Sequence, residues 1–180
     1  MVTKVEPNPA NLEKAALLII DVQQGLFEKN TPIFQAERLI QNIHSLVEKA
    51  HSAKAPVVYI QHNDDKYLVK GSNSWQLHPE LRPEPQDWQV YKEHGNAFEK
   101  TNLGELLTSR QIGKVIIAGL VTHGCVKNTS LGALEEGYQV ILVGDTHSSY
   151  SKDAAALISK WNHDLAEKRV VVKKAGEVSF

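Results

Sequence analysis

A single cysteine, Cys125, and a single methionine are all the sulfur this chain of 180 residues carries, and that scarcity removes whole classes of architecture. One thiol cannot close an internal disulfide, so a disulfide-stapled scaffold is excluded and a reducing compartment fits. Nor can one thiol supply a cysteine-rich zinc site. An excess of charge is lacking as well. With 20 basic against 21 acidic residues the formal charge is -1, which leaves no electrostatic footprint for nucleic acid or an anionic membrane. Long apolar runs are missing too: the longest, near 17–20 and 115–121, fall far short of the roughly 20 residues a membrane-spanning helix needs. The N-terminus lacks the basic-then-apolar order of a secretory signal. These absences predict a cytoplasmic protein acting on a small neutral or weakly charged molecule. No internal repeat, low-complexity tract or linker divides the chain, so residues 1–180 read as one domain, with 1–14 as a loosely held arm.

What the chain does have is an apolar content of 42%, enough for one sizeable core, and a clear alternation of patterns. Short β-branched runs predict strands at 16–22, 57–62, 89–91, 115–118, 140–143 and 170–172. Several are apolar on successive residues, as strands covered on both faces are. Between them, helical spacing predicts helices at 36–52, 103–109, 126–136 and 154–167, with Leu39, Ile43, Leu46 and Val47 as an apolar stripe and Gly137 as a C-terminal stop. The alternation predicts an α/β fold: a three-layer, doubly wound sandwich with a six-stranded, mostly parallel sheet and helices on both faces. The exception is 63–88, rich in Pro, Gly, Ser and Asn and without periodicity, a length of loop that is usually functional or mobile.

In such a sheet, ligands bind outside the carboxyl ends of the strands, near the reversal of strand order. Three reactive residues follow strands. Asp21 closes Leu18-Ile19-Ile20-Asp21, where an acid after an apolar run is costly without a partner. Lys92 follows the third strand and Cys125 the fourth. Singly, each has a plainer account: a turn-capping acid, a solvated lysine, a small buried thiol. Jointly they supply a nucleophile, a cation that lowers the thiol pKa, and a carboxylate to carry the proton.

The ordered set Asp21-Val22-Gln23, the segment Trp75-Gln76-Leu77-His78-Pro79-Glu80-Leu81, the Tyr91-Lys92 pair and the stretch Gly119-Leu120-Val121-Thr122-His123-Gly124-Cys125-Val126 resembles the isochorismatase-like cysteine hydrolase family, the nicotinamidase and N-carbamoylsarcosine amidase group. The resemblance runs from about Leu17 to Asp145 and implies a catalytic triad at Asp21, Lys92 and Cys125. It also implies a cis peptide joining Leu120 to Val121, an oxyanion hole made by the backbone N–H groups of Val121 and Cys125, and a homo-oligomer, dimer or tetramer. Nicotinamidases of the group hold a metal through an aspartate and two histidines after the second strand. Here that region reads Gln61-His62-Asn63-Asp64-Asp65-Lys66, so neither a metal nor another cofactor is expected. Asp145-Thr146-His147 has the Asp-x-His form, with a turn after the fifth strand as the simpler account.

Phe27, Gln23, Trp75 and His123 complete the expected substrate-binding residues. Each has an alternative: core packing for Phe27, ordering of Asp21 or nearby backbone for Gln23, a subunit contact for Trp75. His62, His78 and His94 read as structural or surface groups. The functional expectation is hydrolysis of a C–N bond in a small amide or carbamoyl compound through a Cys125 thioester. Two alternatives stand beside it: isochorismatase-type cleavage of a vinyl ether, which does not need the cysteine, and a non-catalytic binding or assembly module with a structural or redox-sensitive thiol.

Overall fold

The computed structural model describes residues 13–180; of the arm expected at 1–14, residues 1–12 lie outside them. Six strands, β1 (Ala15–Ile20), β2 (Val57–His62), β3 (Trp88–Lys92), β4 (Lys114–Leu120), β5 (Gln139–Ser148) and β6 (Val171–Lys173), form one sheet in the order β3-β2-β1-β4-β5-β6. Every pairing is parallel. The chain therefore starts in the middle, winds outward to β3, and returns to the other side of β1 with β4, which puts the reversal of strand order between β1 and β4.

The apolar runs are continuous because the central strands are covered twice. Leu17 and Ile19 of β1, with Ile116 and Ala118 of β4, pack in one cluster with Leu39, Ile40, Ile43, Leu46 and Ala50 of α2 (Ala36–Ser52). The alternate residues Ala16, Leu18 and Ile20, with Val115 and Ile117, pack in a second cluster on the other face. Leu103 and Leu107 of α3 (Leu103–Ser109), Ala133 of α4 (Lys127–Glu135) and Leu165 of α5 (Ala154–Ala166) belong to this second cluster. Helices thus cover both faces, as the sequence pattern implies. A four-residue helix α1 (Gln24–Phe27) follows β1, and a 3-10 turn, Ala175–Glu177, is latched to α2 where Lys49 Nζ donates to the Ala175 carbonyl at 2.7 Å.

Two differences from the sequence expectation have a physical cause. β5 runs on to Ser148, so Asp145-Thr146-His147 lies inside a strand rather than in a turn after it. The polar residues hide this continuation, because β5 resumes pairing only after a register shift, with Gly119 opposite His147 and Leu120 opposite Ser148. The long loop 63–88 folds back along the start of α1: Gln24 N–H donates to the Gln76 carbonyl and Gly25 N–H to that of Ser74, at 2.8 and 2.9 Å. Among the described residues no helix is long and apolar enough to cross a membrane.

Gly119 allows β4 to hug β1 at the point where the strand ends. Its φ is +123°, and a Cβ there would lie 2.1 Å from the Ile20 carbonyl oxygen. Both the backbone conformation and the space require glycine. Gly104, in contrast, is helical with open space around it. Gly119→Ala should therefore lower unfolding free energy by more than about 3 kcal/mol, whereas Gly104→Ala should raise it by about 0.5–1 kcal/mol; urea denaturation of both variants checks the opposite signs.

Candidate active site

Four neighbouring strands deliver one polar group each to the carboxyl edge of the sheet. Asp21 follows β1, His62 is the last residue of β2, Lys92 the last of β3, and Cys125 lies in the turn after β4. β2 and β3 set His62 directly opposite Lys92 in their register. Asp21 is turned out of strand geometry into the left-handed region, with φ +51°, a conformation that costs a non-glycine residue about 1–3 kcal/mol. Its N–H donates to the Ile60 carbonyl and its carbonyl accepts from Gln23 N–H, both at 2.9 Å. After β4 the Leu120–Val121 peptide is cis. The chain then makes a wide turn, Thr122–Val126, in which the Val121 carbonyl accepts from the N–H groups of both Gly124 and Val126. That turn presents Cys125 immediately before α4.

The geometry centres on the Lys92 ammonium, which is 1% exposed and donates three hydrogen bonds: to Asp21 Oδ2 at 2.9 Å, His62 Nδ1 at 3.1 Å and Cys125 Sγ at 3.2 Å. Three acceptors use all three ammonium protons. Burial pulls the Lys92 pKa down, but the Asp21 charge and the hydrogen bonds that Lys92 gives to Asp21 and Cys125 outweigh it and the net shift is upward, so Lys92 is a cation at any working pH. Asp21 Oδ1 is buried and has no hydrogen-bond partner among the described residues. It is the acceptor left over for a proton.

The thiol does not behave as its cationic neighbour alone would dictate. Burial, then the Asp21 charge, push the Cys125 pKa up to about 12 against the opposing pull of Lys92. This corrects the sequence expectation of a thiol pKa lowered toward neutrality. At rest the sulfur is protonated, and its proton can leave only to a base beside it. A carboxylate oxygen of Asp21, a ring nitrogen of His62 and Cys125 Sγ lie within 4.8 Å of one another, a donor set that suits a metal ion. Lys92 Nζ, however, contacts all three residues and already supplies the positive charge between them.

Gln23 departs from its expected place among substrate contacts. It is fully buried, its Oε1 accepts the His62 N–H at 2.8 Å, and its Nε2 donates to the carbonyls of His62 and Trp75 at 3.0 and 2.9 Å. With its amide engaged on backbone, Gln23 positions β2 and the long loop and has nothing left for a ligand; ordering of nearby backbone was its alternative reading. Gln61 donates to the same Trp75 carbonyl at 2.9 Å. Trp75 is 7% exposed, with its ring 5.3 Å from that of Tyr91. Phe27 is half-buried with its ring 4.5 Å from the His78 imidazole. His123 is half-buried, and its Nδ1 is shielded without a partner among the described residues.

Asp145 and His147 are not free to hold a metal. Asp145 Oδ1 accepts the Ala175 N–H at 2.8 Å, and its Oδ2 lies 3.9 Å from Arg38. His147 is engaged at both ring nitrogens, with Asn162 Oδ1 and Thr122 Oγ1 each at 2.8 Å. Because the Asn162 amide nitrogen donates to Gly144, its oxygen must accept from His147 Nε2–H; the Thr122 hydroxyl beside Nδ1 also reaches the Ser148 carbonyl at 3.1 Å. His62 is the residue at the Lys92 junction that the sequence reading left among structural or surface groups. The rule that selected Asp21, Lys92 and Cys125, position at a strand's carboxyl end, applies to His62 equally.

Known proteins share this arrangement of elements. A solved structure described as an isochorismatase family protein superimposes with a TM-score of 0.85 and 29% identity, covering 91% of this chain and 99% of that one. A streptothricin hydrolase of Streptomyces noursei is 32% identical over 146 residues, 80% of this chain and 58% of that protein. The chain thus spans a little over half the length of this curated relative. A secreted isochorismatase effector of Verticillium dahliae is 31% identical over 144 residues, 78% of this chain and 76% of the effector. The sequence model of the isochorismatase domain matches residues 15–163, from the first residue of β1 into the last turns of α5. That span takes in all four strand ends that meet at Lys92, and the chain belongs to the isochorismatase domain family.

Proposed function

We propose that the chain is a single-domain cysteine hydrolase that cleaves a C–N bond of a small amide or carbamoyl-type substrate through a thioester on Cys125. The observation that carries the reading is the Lys92 ammonium bridging Asp21 and the only thiol, with the second oxygen of Asp21 buried and unpartnered. In the first half-reaction Asp21 takes the thiol proton as sulfur attacks the carbonyl carbon. Lys92 stabilises the sulfur as its charge develops, which substitutes for a low resting pKa. The oxyanion is received by the N–H groups of Val121 and Cys125, a role supported by the position of Cys125 just before α4, where the helix dipole favours negative charge. Protonated Asp21 then gives its proton to the departing nitrogen and the C–N bond breaks. In the second half Asp21 deprotonates water, the hydroxide attacks the thioester, the C–S bond breaks, and Asp21 returns the proton to sulfur. One carboxylate serves both halves.

Phe27 and Trp75 wall the substrate in this reading, and the half-buried His123 lies two residues before the nucleophile, where its ring can line the same site. A reduced nucleophilic thiol supports residence in the cytoplasm, and the isochorismatase-like resemblance supports a homo-oligomer. The name streptothricin hydrolase supports hydrolysis as the reaction class. The Verticillium relative, an isochorismatase by name, favours the second reading, in which Asp21 protonates a vinyl ether without help from sulfur.

The two readings part at the sulfur. Intact-mass measurement during turnover of a panel of small amides should show an acyl adduct confined to Cys125, and Cys125→Ala should lose activity by more than about 1,000-fold; full activity of that variant on isochorismate would instead establish the second reading. The Asp21 role makes a separate forecast. Asp21→Asn removes the charge that raises the thiol pKa and leaves Lys92 to lower it, so iodoacetamide should alkylate Cys125 at pH 8 at least about tenfold faster than in the wild type, one pKa unit or more, while amide turnover collapses. Slower alkylation in that variant would contradict the assignment.

A further inference from the structure

His62 has no part in the mechanism above, yet it holds the third proton of the ammonium on which that mechanism rests. Because Lys92 Nζ donates to His62 Nδ1 at 3.1 Å, Nδ1 must present a lone pair, and the ring proton must sit on Nε2. The backbone that carries the ring is held in place. Gln23 grips both the N–H and the carbonyl of His62, at 2.8 and 3.0 Å, and Asn63 N–H donates to the Lys92 carbonyl at 2.7 Å. Resting on the hydrolase reading, we propose that His62 is a positioning residue: its neutral Nδ1 is the third acceptor that pins the Lys92 ammonium between Asp21 and Cys125, and protonation of His62 at acid pH releases Lys92 and switches the site off.

An imidazolium would turn an N–H toward the ammonium protons, leaving Lys92 with two acceptors and a like charge beside it. The surroundings keep that state away from neutral pH. Burial and the Lys92 charge from β3 lower the His62 pKa, helped by His94 beyond β3. Asp21 after β1 and Asp64 in the long loop oppose them, and the net shift from 6.5 is downward. His62 therefore stays neutral through neutral pH, and the site should fail only on the acid side of 6.5.

Long-range proton–nitrogen NMR of the histidine side chains in the full-length, nitrogen-15-labelled chain tests this without any substrate, His62→Asn identifying the signal. The expected result is an unprotonated Nδ1 and a protonated Nε2 at pH 7.5, with a titration midpoint below 6.5 that rises in Lys92→Met. A proton on Nδ1 overturns the proposal even if Lys92→Met does not fold, and so does a midpoint that Lys92→Met leaves in place. With the amide that acylates Cys125 as substrate, His62→Ala should lose at least tenfold in kcat with little change in KM. His62→Asn, whose Oδ1 can accept from Lys92 and cannot titrate, should recover most of that loss and no longer show the wild-type acid limb. An acid limb unchanged in His62→Asn would overturn the switch. If no amide acylates Cys125, the hydrolase reading fails while the NMR result still decides the state of His62.

Discussion

Burying the Lys92 ammonium is the constraint on which the carboxyl edge of the sheet depends. A lysine with no exposed side-chain surface persists as a cation only where its protons are matched by acceptors and its charge by an opposite one. Asp21 supplies the charge, and Asp21, His62 and Cys125 together supply the acceptors. These four residues come from the ends of four different strands, so the condition is met only when β3, β2, β1 and β4 lie side by side in register. Losing one partner would strand the other charge in the interior, a change worth about 3–5 kcal/mol for buried pairs. The chemistry and the architecture are in this sense one requirement.

The same constraint explains why the thiol is not pre-ionised. A cation beside a cysteine lowers its pKa only if nothing nearby cancels it. Here burial already disfavours the thiolate, and Asp21, set against the same ammonium, adds its charge to that effect. The result is a neutral thiol with a base and a counter-cation already placed, rather than a standing thiolate. On the proposed hydrolase reading such a site holds its nucleophile in reserve, with ionisation of sulfur tied to attack on a carbonyl whose oxyanion the adjacent backbone would receive.

The fold was legible in the sequence because a doubly covered parallel sheet leaves an unusually plain trace. Leu17 to Ile20 and Val115 to Ala118 are apolar on both faces, while Leu39, Ile43 and Leu46 recur at helical spacing. Asp21, Lys92 and Cys125 were legible by the same logic, as reactive residues just past such runs. His62 ends a strand too and was passed over, because a histidine there looks the same whether it is a surface group or the acceptor of a buried ammonium; the difference is a register, His62 opposite Lys92. The later half of β5 was hidden by Gly144, which has no side chain, and by the charged Asp145, which together interrupt the apolar run without ending the strand. Gln23 read as a residue near the acid, and its hold on the backbone of His62 and Trp75 depends on a loop that returns from 39 to 52 residues away.

The state on which the site turns is the resting thiol of Cys125, held protonated by burial first and by the Asp21 charge second. Its most direct test is an ultraviolet pH titration of the thiolate, read as the difference between the wild type and Cys125→Ala, repeated in the Asp21→Asn background. No thiolate step is expected in the wild type at or below pH 9.0, the ordinary thiol value, because burial and the Asp21 charge push the thiol up to about 12, and the step should move to lower pH once the Asp21 charge is gone. A thiolate present in the wild type at neutral pH would contradict it.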